Sequence, residues 1–408
     1  MKGGVTTKAA LKVLAALGLI YCFLLSISLM GDAFRLFGEG FAERLFAFAG
    51  NRFVGLFIGI LTTALVQSSS FTTSVVVGLV GGGILDVKLA VPIMMGANIG
   101  TSVTNTLVAH GHITRKEEFR RAAEGALIHD ILNVLVVIVL FPLEMMFGFL
   151  EKAARVATEL FGGIGGATFT SPIKAAVKPA SHFVVESVTT LIHAPTPIQA
   201  TVVLLFALLI LFMSLYLIVK VLKSLVLARV EAFFNTYIFR NAALSLLVGL
   251  VVTSLVQSSS VTTSLIVPMA AAGVLTLEQI FPYTLGANVG TTVTAILASL
   301  ATVSAGNMGG VTIAFTHLLF NVFGIFIFYP IRFIPLGLAR ELGRRTAENR
   351  FFPLLYVITV FFYIPGICIY LSKFGLTFIG VLLLIGLPAM IALFRIVSRV
   401  GRRRSGAR

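Results

Sequence analysis

The sequence predicts an all-α integral membrane protein that is built from two inverted-topology repeats. Of 408 residues, 58% are hydrophobic and 12% are charged, whereas an ordinary soluble chain carries about a quarter charged residues. Apolar runs near the length of a spanning helix recur along the chain, which favours helices over a barrel whose strands would alternate. A polar sequence motif also occurs twice, 190 residues apart, at 66–70 and 256–260. Such duplication is typical of transporters made of two halves around one site.

The two copies of this motif agree residue by residue. Both read Val-Gln-Ser-Ser-Ser, and each is followed by Thr-Thr-Ser and later by Gly-Ala-Asn-x-Gly-Thr. The shared polar residues are Gln67, Ser68, Ser69, Ser70, Asn98 and Thr101 in the first copy, and Gln257, Ser258, Ser259, Ser260, Asn288 and Thr291 in the second.

Hydropathy divides the chain into spans and interrupted segments. The predicted single spans are 11–30, 125–148, 201–219, 311–330, 353–372 and 375–394. The apolar segments 88–109 and 278–302 contain Gly-Ala-Asn-x-Gly-Thr, so we expect spans that are broken in the middle. The segments 53–83 and 243–273 have Gln-Ser-Ser-Ser at their centres and are predicted to be re-entrant helical hairpins. Non-helical backbone at that depth survives only where it is buried in protein or lines a wet cavity.

These elements predict four parts of the chain. The parts are a first repeat at 1–150, an extracytoplasmic linker at 151–197, a second repeat at 198–335, and two further spans with a basic cytoplasmic tail at 336–408. The Phe-rich segment 31–52 is predicted to be an amphipathic helix at the membrane surface.

The distribution of basic residues predicts the orientation of the spans. With a cytoplasmic N-terminus, 22 of the 31 Lys and Arg residues lie on the cytoplasmic side, as the positive-inside rule requires, and both termini are cytoplasmic. Each repeat then contains three crossings, and an odd number places the second copy upside down relative to the first. If 31–52 spans the membrane instead, this parity argument fails. The net charge of +15 is therefore attributed to membrane anchoring rather than to nucleic-acid binding.

The chemistry of the duplicated cluster suits an anion together with sodium. Serine hydroxyls and helix N-termini at a hairpin tip suit an oxyanion without a fixed cation at the membrane centre. The oxygens of the glutamine, asparagine and threonine side chains suit a small hard cation such as sodium, and Gly96, Gly100, Gly286 and Gly290 would permit the unwound backbone that such ligation needs. Which oxygen serves which ion does not follow from spacing.

Further motifs carry a resemblance to a known family. The paired Gln-Ser-Ser-Ser motifs, the segment 96–106, the sequence Glu-Phe-Arg-Arg-Ala at 118–122 and the His129-Asp130 pair resemble the type II sodium–phosphate cotransporter family over roughly 50–150 and 240–330. The resemblance implies sodium-driven uptake of inorganic phosphate by a homodimer in the plasma membrane, with lipid around it and no other cofactor than the transported sodium. The segment 151–197 lacks cysteines and the chain lacks Asn-x-Ser/Thr acceptors, as we expect of a bacterial member.

The resemblance also assigns residues to the two ions. The implied phosphate contacts are Gln67, Ser68, Ser69, Ser70, Ser258, Ser259, Ser260 and Arg120. The implied sodium contacts are Gln67, Asn98, Thr101, Thr104, Asn105, Gln257, Ser258, Ser259, Asn288, Thr291 and Thr292. Arg120 has no counterpart in the second copy, so a cytoplasmic anchor is its alternative role.

Three titratable residues in the spans have two interpretations each. His129 and His317 both begin a His-x-x-x-Asn pattern, and a hydrogen-bonded packing role within each repeat is favoured over a metal site. Asp130 is a candidate for ion coupling, but a helix cap or a pair with Arg120 or Arg121 is an equal alternative.

Other functions remain open but are disfavoured. A serine hydrolase needs one activated serine with an oriented base, not two equal triplets, so no enzyme is expected. A channel is an alternative because re-entrant helices also build pores. A sodium symporter for a dicarboxylate or an amino acid is a further alternative, because hydroxyl-rich hairpins suit any oxyanion.

Overall fold

The computed structural model describes residues 3–37, 51–165, 172–233, 239, 241–303 and 307–375, and this part of the chain is helical, without a β-strand. The helices of the first half are α1 (Gly3–Phe37), α2 (Arg52–Val66), α3 (Ser69–Gly81), α4 (Val87–Ile99), a 3₁₀ turn (Gly100–Ser102), α5 (Val103–His110), α6 (Lys116–Phe147), α7 (Phe149–Gly165) and α8 (Pro172–Leu191). The second half contains α9 (Thr196–Phe233), α10 (Ala242–Val256), α11 (Ser259–Ser264), α12 (Ile266–Ala271), α13 (Leu277–Thr302), α14 (Gly309–Phe328), α15 (Phe333–Glu348), α16 (Phe352–Val357), a π-helical turn (Ile358–Tyr363) and α17 (Ile364–Ser372).

Six stretches among the described residues are long and apolar enough to cross a membrane. They are Leu11–Phe37, Lys116–Phe147, Thr196–Leu222, Leu277–Thr302, Gly309–Phe328 and Phe352–Ser372. The prediction of an all-helical membrane protein is thereby confirmed. The predicted span 375–394 lies, except for its first residue, outside the described residues, as does 38–50 of the predicted surface helix, whereas 31–37 continues α1.

Each predicted hairpin is a helix pair whose two arms are joined at a Gln-Ser step. The second arm is α3 in the first half, and α11 followed directly by α12 in the second half. Gln67 and Gln257 adopt left-handed backbone conformations, with φ of 58° and 60°, and are the only non-glycine residues with positive φ in the described chain. Ser68 and Ser258, which follow them, are extended, with φ of −148° and −150°. The two copies of the motif therefore have the same backbone, which ends one helix and starts the next.

Threonine hydroxyls bridge the two arms of each helix pair. The Oγ1 atoms of Thr63 and Thr72 are 2.9 Å apart, and those of Thr253 and Thr262 are 2.7 Å apart. Each bond links a buried residue of the first arm to a buried residue of the second. The arms are thus held together close to the Gln-Ser step in both halves.

The expectation of two broken spans is half wrong. The segment 88–109 is interrupted by the 3₁₀ turn at Gly100–Ser102, but 278–302 lies within the continuous helix α13. Gly96 and Gly286 serve helix packing instead of unwinding, because a Cβ on Gly96 would lie 2.0 Å from the carbonyl oxygen of Leu56, and one on Gly286 would lie 1.9 Å from that of Leu246. The glycine motif therefore seats α4 on α2 and α13 on α10, and this role needs no break in the helix.

The segment 151–197, predicted to be a linker, contains two helices. Helix α7 packs against α14, and α8 packs against α1, which also lies along α9. The segment therefore connects the two halves while covering one helix of each.

A buried ion pair ties the base of the first helix pair to its neighbours. The Arg52 guanidinium donates to Glu144 Oε1 over 2.6 Å and to the Lys88 carbonyl oxygen over 3.2 Å. The Glu144 carboxylate is fully buried, and its other oxygen accepts hydrogen bonds from the backbone N–H groups of Leu150 and Glu151. This network joins α2, α4, α6 and α7 at one end, and its hydrogen bonds offset part of the cost of burying the Glu144 carboxylate.

Candidate functional site

The first serine of each motif caps the second arm of its helix pair. Ser68 Oγ accepts a hydrogen bond from the Phe71 N–H over 3.2 Å, and Ser258 Oγ accepts one from the Val261 N–H over 3.3 Å. An N-cap of this kind satisfies one of the free donors at a helix start. The hydroxyl hydrogens are not consumed by this role and remain donors for an oxyanion.

The third serine of each motif crosses to the other half of the chain. Ser70 Oγ donates to the Gln257 carbonyl oxygen over 3.1 Å, and Ser260 Oγ donates to the Thr101 carbonyl oxygen over 3.3 Å. Both serines are buried. The two Gln-Ser-Ser-Ser motifs are therefore in direct contact, although 187 residues separate Ser70 from Gln257.

The glutamine side chains are oriented by threonines of the neighbouring helix. Thr104 Oγ1 donates to Gln67 Oε1 over 3.0 Å, and Thr294 Oγ1 donates to Gln257 Oε1 over 3.3 Å. Sequence reasoning singled out Thr104 but missed Thr294. The repeat itself was the available signal, because Thr294 follows Thr104 at the same 190-residue spacing as the motifs.

Asn105 joins the site from the first half. Its Nδ2 donates to Thr263 Oγ1 over 2.9 Å, and Thr263 Oγ1 lies 2.7 Å from the Ser259 carbonyl oxygen. The position equivalent to Asn105 in the second half is Ala295. The site is therefore not symmetric at this point, and Thr263 is a second residue that the sequence reasoning missed.

Three of the threonines predicted to bind sodium have bonds inside their own helical segments. The hydroxyl of Thr101 donates to the Ala97 carbonyl oxygen, and that of Thr291 donates to the Ala287 carbonyl oxygen. Thr292 likewise donates to a carbonyl oxygen three residues before it. Such local bonds are the ordinary role of threonine in membrane helices, although each hydroxyl oxygen keeps acceptor capacity.

The two predicted His-x-x-x-Asn patterns belong to one network. His317 Nε2 lies 3.1 Å from Asn98 Oδ1, and Asn133 Nδ2 donates to the Asn98 carbonyl oxygen over 2.9 Å. Asn288 Nδ2 donates to Asn133 Oδ1 over 2.8 Å, and Asn288 also bonds His129. The expected packing role within each repeat is therefore wrong in one respect, because each histidine bonds an asparagine of the other half.

Asp130 does not pair with Arg120 or Arg121, and Arg120 does not lie beside the motif serines. Neither carboxyl oxygen of the fully buried Asp130 has a hydrogen-bond partner among the described residues. Arg120 donates to Glu117 over 3.0 Å and to Glu124 over 2.6 Å, and it lines a cavity to which none of the motif serines contributes. Arg121 donates to the Ala271 carbonyl oxygen. The structure therefore brings the glutamines and serines together but does not add Arg120 to them.

Both halves of the chain are similar in sequence to known proteins. The family model described as Na+/Pi-cotransporter matches residues 22–170 and 209–339. The chain belongs to the Na+/Pi-cotransporter family. The chain is 33% identical over 469 residues to human sodium-dependent phosphate transport protein 2B. That alignment covers 93% of the chain and 67% of the relative. It is also 34% identical over 480 residues to sheep sodium-dependent phosphate transport protein 2A, in an alignment that covers 99% of the chain and 74% of the relative. No solved structure matches it significantly.

Proposed function

We propose that the chain imports inorganic phosphate coupled to sodium, by alternating access across the cell membrane. The contact between the two Gln-Ser-Ser-Ser motifs carries this proposal, since it gathers hydroxyl donors and oxygen ligands from both halves in one buried place. Membership of the Na+/Pi-cotransporter family and the names of the relatives support the two ions. These relatives are transporters rather than enzymes.

In this proposal the two halves are inverted repeats and the helix pairs are re-entrant. Helices α2 and α10 have 15 residues each, which corresponds to about 22 Å at 1.5 Å per residue. The hydrocarbon core is about 30 Å thick, so an arm of this length reaches the interior and not the opposite surface. The element order supports the repeat, because in each half a long helix precedes a helix pair and a glycine-rich helix. The distribution of basic residues supports cytoplasmic termini.

The phosphate ligands in this proposal are the motif residues of both tips. They are Gln67, Ser68, Ser69, Ser70, Ser258, Ser259 and Ser260. Hydrogen bonds from neutral donors can hold an anion without a fixed cation, as backbone and hydroxyl donors do at helix starts. Arg120 is proposed as a phosphate contact outside this single site, in the cavity that it lines, because its ion pairs with Glu117 and Glu124 hold it away from the two tips. Such a contact would be transient and would not add a second bound phosphate.

The sodium ligands in this proposal are side-chain oxygens around the same tips. They are drawn from Gln67, Asn98, Thr101, Thr104, Asn105, Gln257, Ser258, Ser259, Asn288, Thr291 and Thr292. Sodium prefers such oxygens, and Gln67 Oε1 and Gln257 Oε1 are each already oriented by a threonine. Asn98 Oδ1 would leave His317 in order to bind sodium. Asp130, buried and without a bonded partner among the described residues, is the proposed residue for ion coupling.

Uptake of radiolabelled phosphate into proteoliposomes tests the function. We expect uptake to depend on an inward sodium gradient and to resist competition by sulfate, dicarboxylates and amino acids. Uptake that is unchanged when potassium replaces sodium would exclude coupling and favour the channel alternative. Equal competition by sulfate or a dicarboxylate would exclude phosphate as the specific substrate. The proposed homodimer is tested separately by the mass of the purified protein in detergent.

A further inference from the structure

The far ends of the two helix pairs are held in matching ways. Helix α3 ends at Gly81 and helix α12 ends at Ala271, positions that are 190 residues apart. Each end packs on the long helix that follows the glycine-motif segment of the other half: α12 lies against α6, and α3 lies against α14. The end of each helix pair therefore packs on a helix of the other half, not of its own half.

Glycines provide the packing surface at both ends. A Cβ on Gly125 of α6 would lie 3.1 Å from the Ala270 Cβ, and a Cβ on Gly309 of α14 would lie 2.8 Å from Val80 Cγ1. Ala270 and Val80 are equivalent positions at the 190-residue spacing, and both are buried. The last turn of each second arm thus rests against a glycine of the opposite half.

One side-chain hydrogen bond holds each end in addition. Arg121 Nε donates to the Ala271 carbonyl oxygen over 2.9 Å, and Asn307 Nδ2 donates to the Gly81 carbonyl oxygen over 3.0 Å. We call these two contacts the end bonds. Both acceptors are carbonyl groups at a helix C-terminus, where the last carbonyls lack partners within the helix. A cationic donor there also interacts favourably with the helix dipole, so the Arg121 bond is the stronger of the two.

A cavity adjoins each end bond. The one beside Arg121 has a volume of about 270 Å³ and reaches Thr276, the N-cap of α13. The one beside Asn307 has a volume of about 490 Å³ and reaches Asp86, the N-cap of α4. Asp86 and Thr276 are again 190 residues apart. The two cavities are therefore counterparts, and the proposed inverted topology places them on opposite faces of the membrane.

We propose that Arg121 and Asn307 are positioning residues that hold the two ends of the transport path closed. Each end bond fixes the end of one helix pair against the other half, and its release lets that end move away and extends the adjoining cavity along the second arm. The proposal rests on the proposed function, in which the site opens to one face at a time. The charged Arg121 bond biases the resting protein toward closure at the α6 end.

Cysteine accessibility tests this proposal without a transport assay. The reporters are Ala270→Cys and Val80→Cys, each in the full chain with Cys22 and Cys368 replaced by alanine, in nanodiscs that expose both faces to a thiol reagent. Arg121→Met removes one end bond, because methionine has a similar length but no N–H donor. Asn307→Asp removes the other while keeping the oxygen that accepts from the Gly309 N–H. Arg115→Gln is the control, because Arg115 is exposed and pairs with Glu118 at the surface.

Each variant is expected to affect its own end. Arg121→Met should raise the labelling rate of Ala270→Cys by roughly fivefold or more, as expected from the loss of one hydrogen bond, and leave Val80→Cys unchanged. Asn307→Asp should do the reverse. Rates equal to those of the Arg115→Gln control would overturn the proposal, and so would equal increases at both reporters, which indicate general loosening. If phosphate uptake proves absent while the reporters respond as expected, the proposed function fails and the end bonds stand.

Discussion

Gln257 is constrained by both its backbone and its side chain. A left-handed conformation costs a non-glycine residue about 1–2 kcal/mol, yet both tips use glutamine there instead of glycine. The carboxamide explains this choice, because Thr294 donates to its oxygen, as Thr104 does for Gln67. The backbone carbonyl of Gln257 meanwhile accepts the bond from Ser70. Glutamine therefore contributes an oriented oxygen at the helix break, which glycine could not supply.

The Thr294 hydroxyl should matter for sodium. Thr294→Val keeps the shape but leaves the Gln257 carboxamide without this donor, so we expect the sodium concentration for half-maximal uptake to rise about fivefold, the effect of a typical hydrogen bond. Thr284→Val is the matched control on the same helix, since its hydroxyl donates to the Ile280 carbonyl oxygen. Equal shifts in both variants, or none in Thr294→Val, would contradict an orienting role.

The chemistry of the site residues was predictable from sequence, whereas their partners were not. The duplicated Gln-Ser-Ser-Ser motif was enough to select the glutamines and serines, because polar residues inside a membrane span are costly and therefore indicate a function. The bonds of His317 to Asn98 and of Asn288 to Asn133 join different halves. Such pairs depend on how the two halves pack against each other. The spacing of residues within one half gives no information about that packing. Arg120 likewise matched a family motif, but its ion pairs with Glu117 and Glu124 keep it elsewhere.

At the scale of elements, close backbone packing determines what the glycine motif does. Equivalent glycines lie on both sides of each contact: a Cβ on Gly59 would lie 2.1 Å from the Ile93 carbonyl oxygen, and one on Gly249 would lie 2.1 Å from that of Tyr283. Small residues at membrane helix contacts permit this approach. The first arm of each helix pair is therefore fixed to the adjacent helix, which holds the tip in position.

This packing predicts a strong effect of one methyl group. Gly286→Ala places a Cβ against the Leu246 carbonyl oxygen, so α13 must shift from α10, and we expect a lower melting temperature in detergent by circular dichroism. Gly337→Ala is the control, because its Cβ would meet open space on α15 and should stabilise the helix by about 0.5–1 kcal/mol. A Gly286→Ala variant that melts at or above the control would contradict the packing role.

Helices were easier to predict than helix breaks. Apolar runs sufficed for α1, α6, α9 and α14, since any run of this length must satisfy its backbone internally. The same Gly-Ala-Asn-x-Gly-Thr pattern nevertheless interrupts the helix after α4 and continues in α13. The difference lies in tertiary contacts: the carbonyl oxygen of Thr101, within the 3₁₀ turn, accepts from Ser260, a bond between the halves.

Over the whole molecule, hydrogen bonds run from each half of the chain to the other. Ser70 reaches the second motif and Ser260 reaches the 3₁₀ turn of the first half. The end bonds also join the two halves, because Arg121 bonds the end of the second helix pair and Asn307 bonds the end of the first. Under the proposed function, two copies that bond each other in this way form one site.

Phosphate binding stoichiometry tests this single-site account most directly. We expect equilibrium binding of radiolabelled phosphate in sodium chloride to saturate at one phosphate per chain. Ser69→Ala and Ser259→Ala should each weaken that same site about tenfold or more, because each removes one hydrogen bond to an anion. Ser187→Ala is the control, as its exposed hydroxyl bonds only its own helix. Two phosphates per chain, or a loss of just one of two binding classes in either variant, would contradict the account.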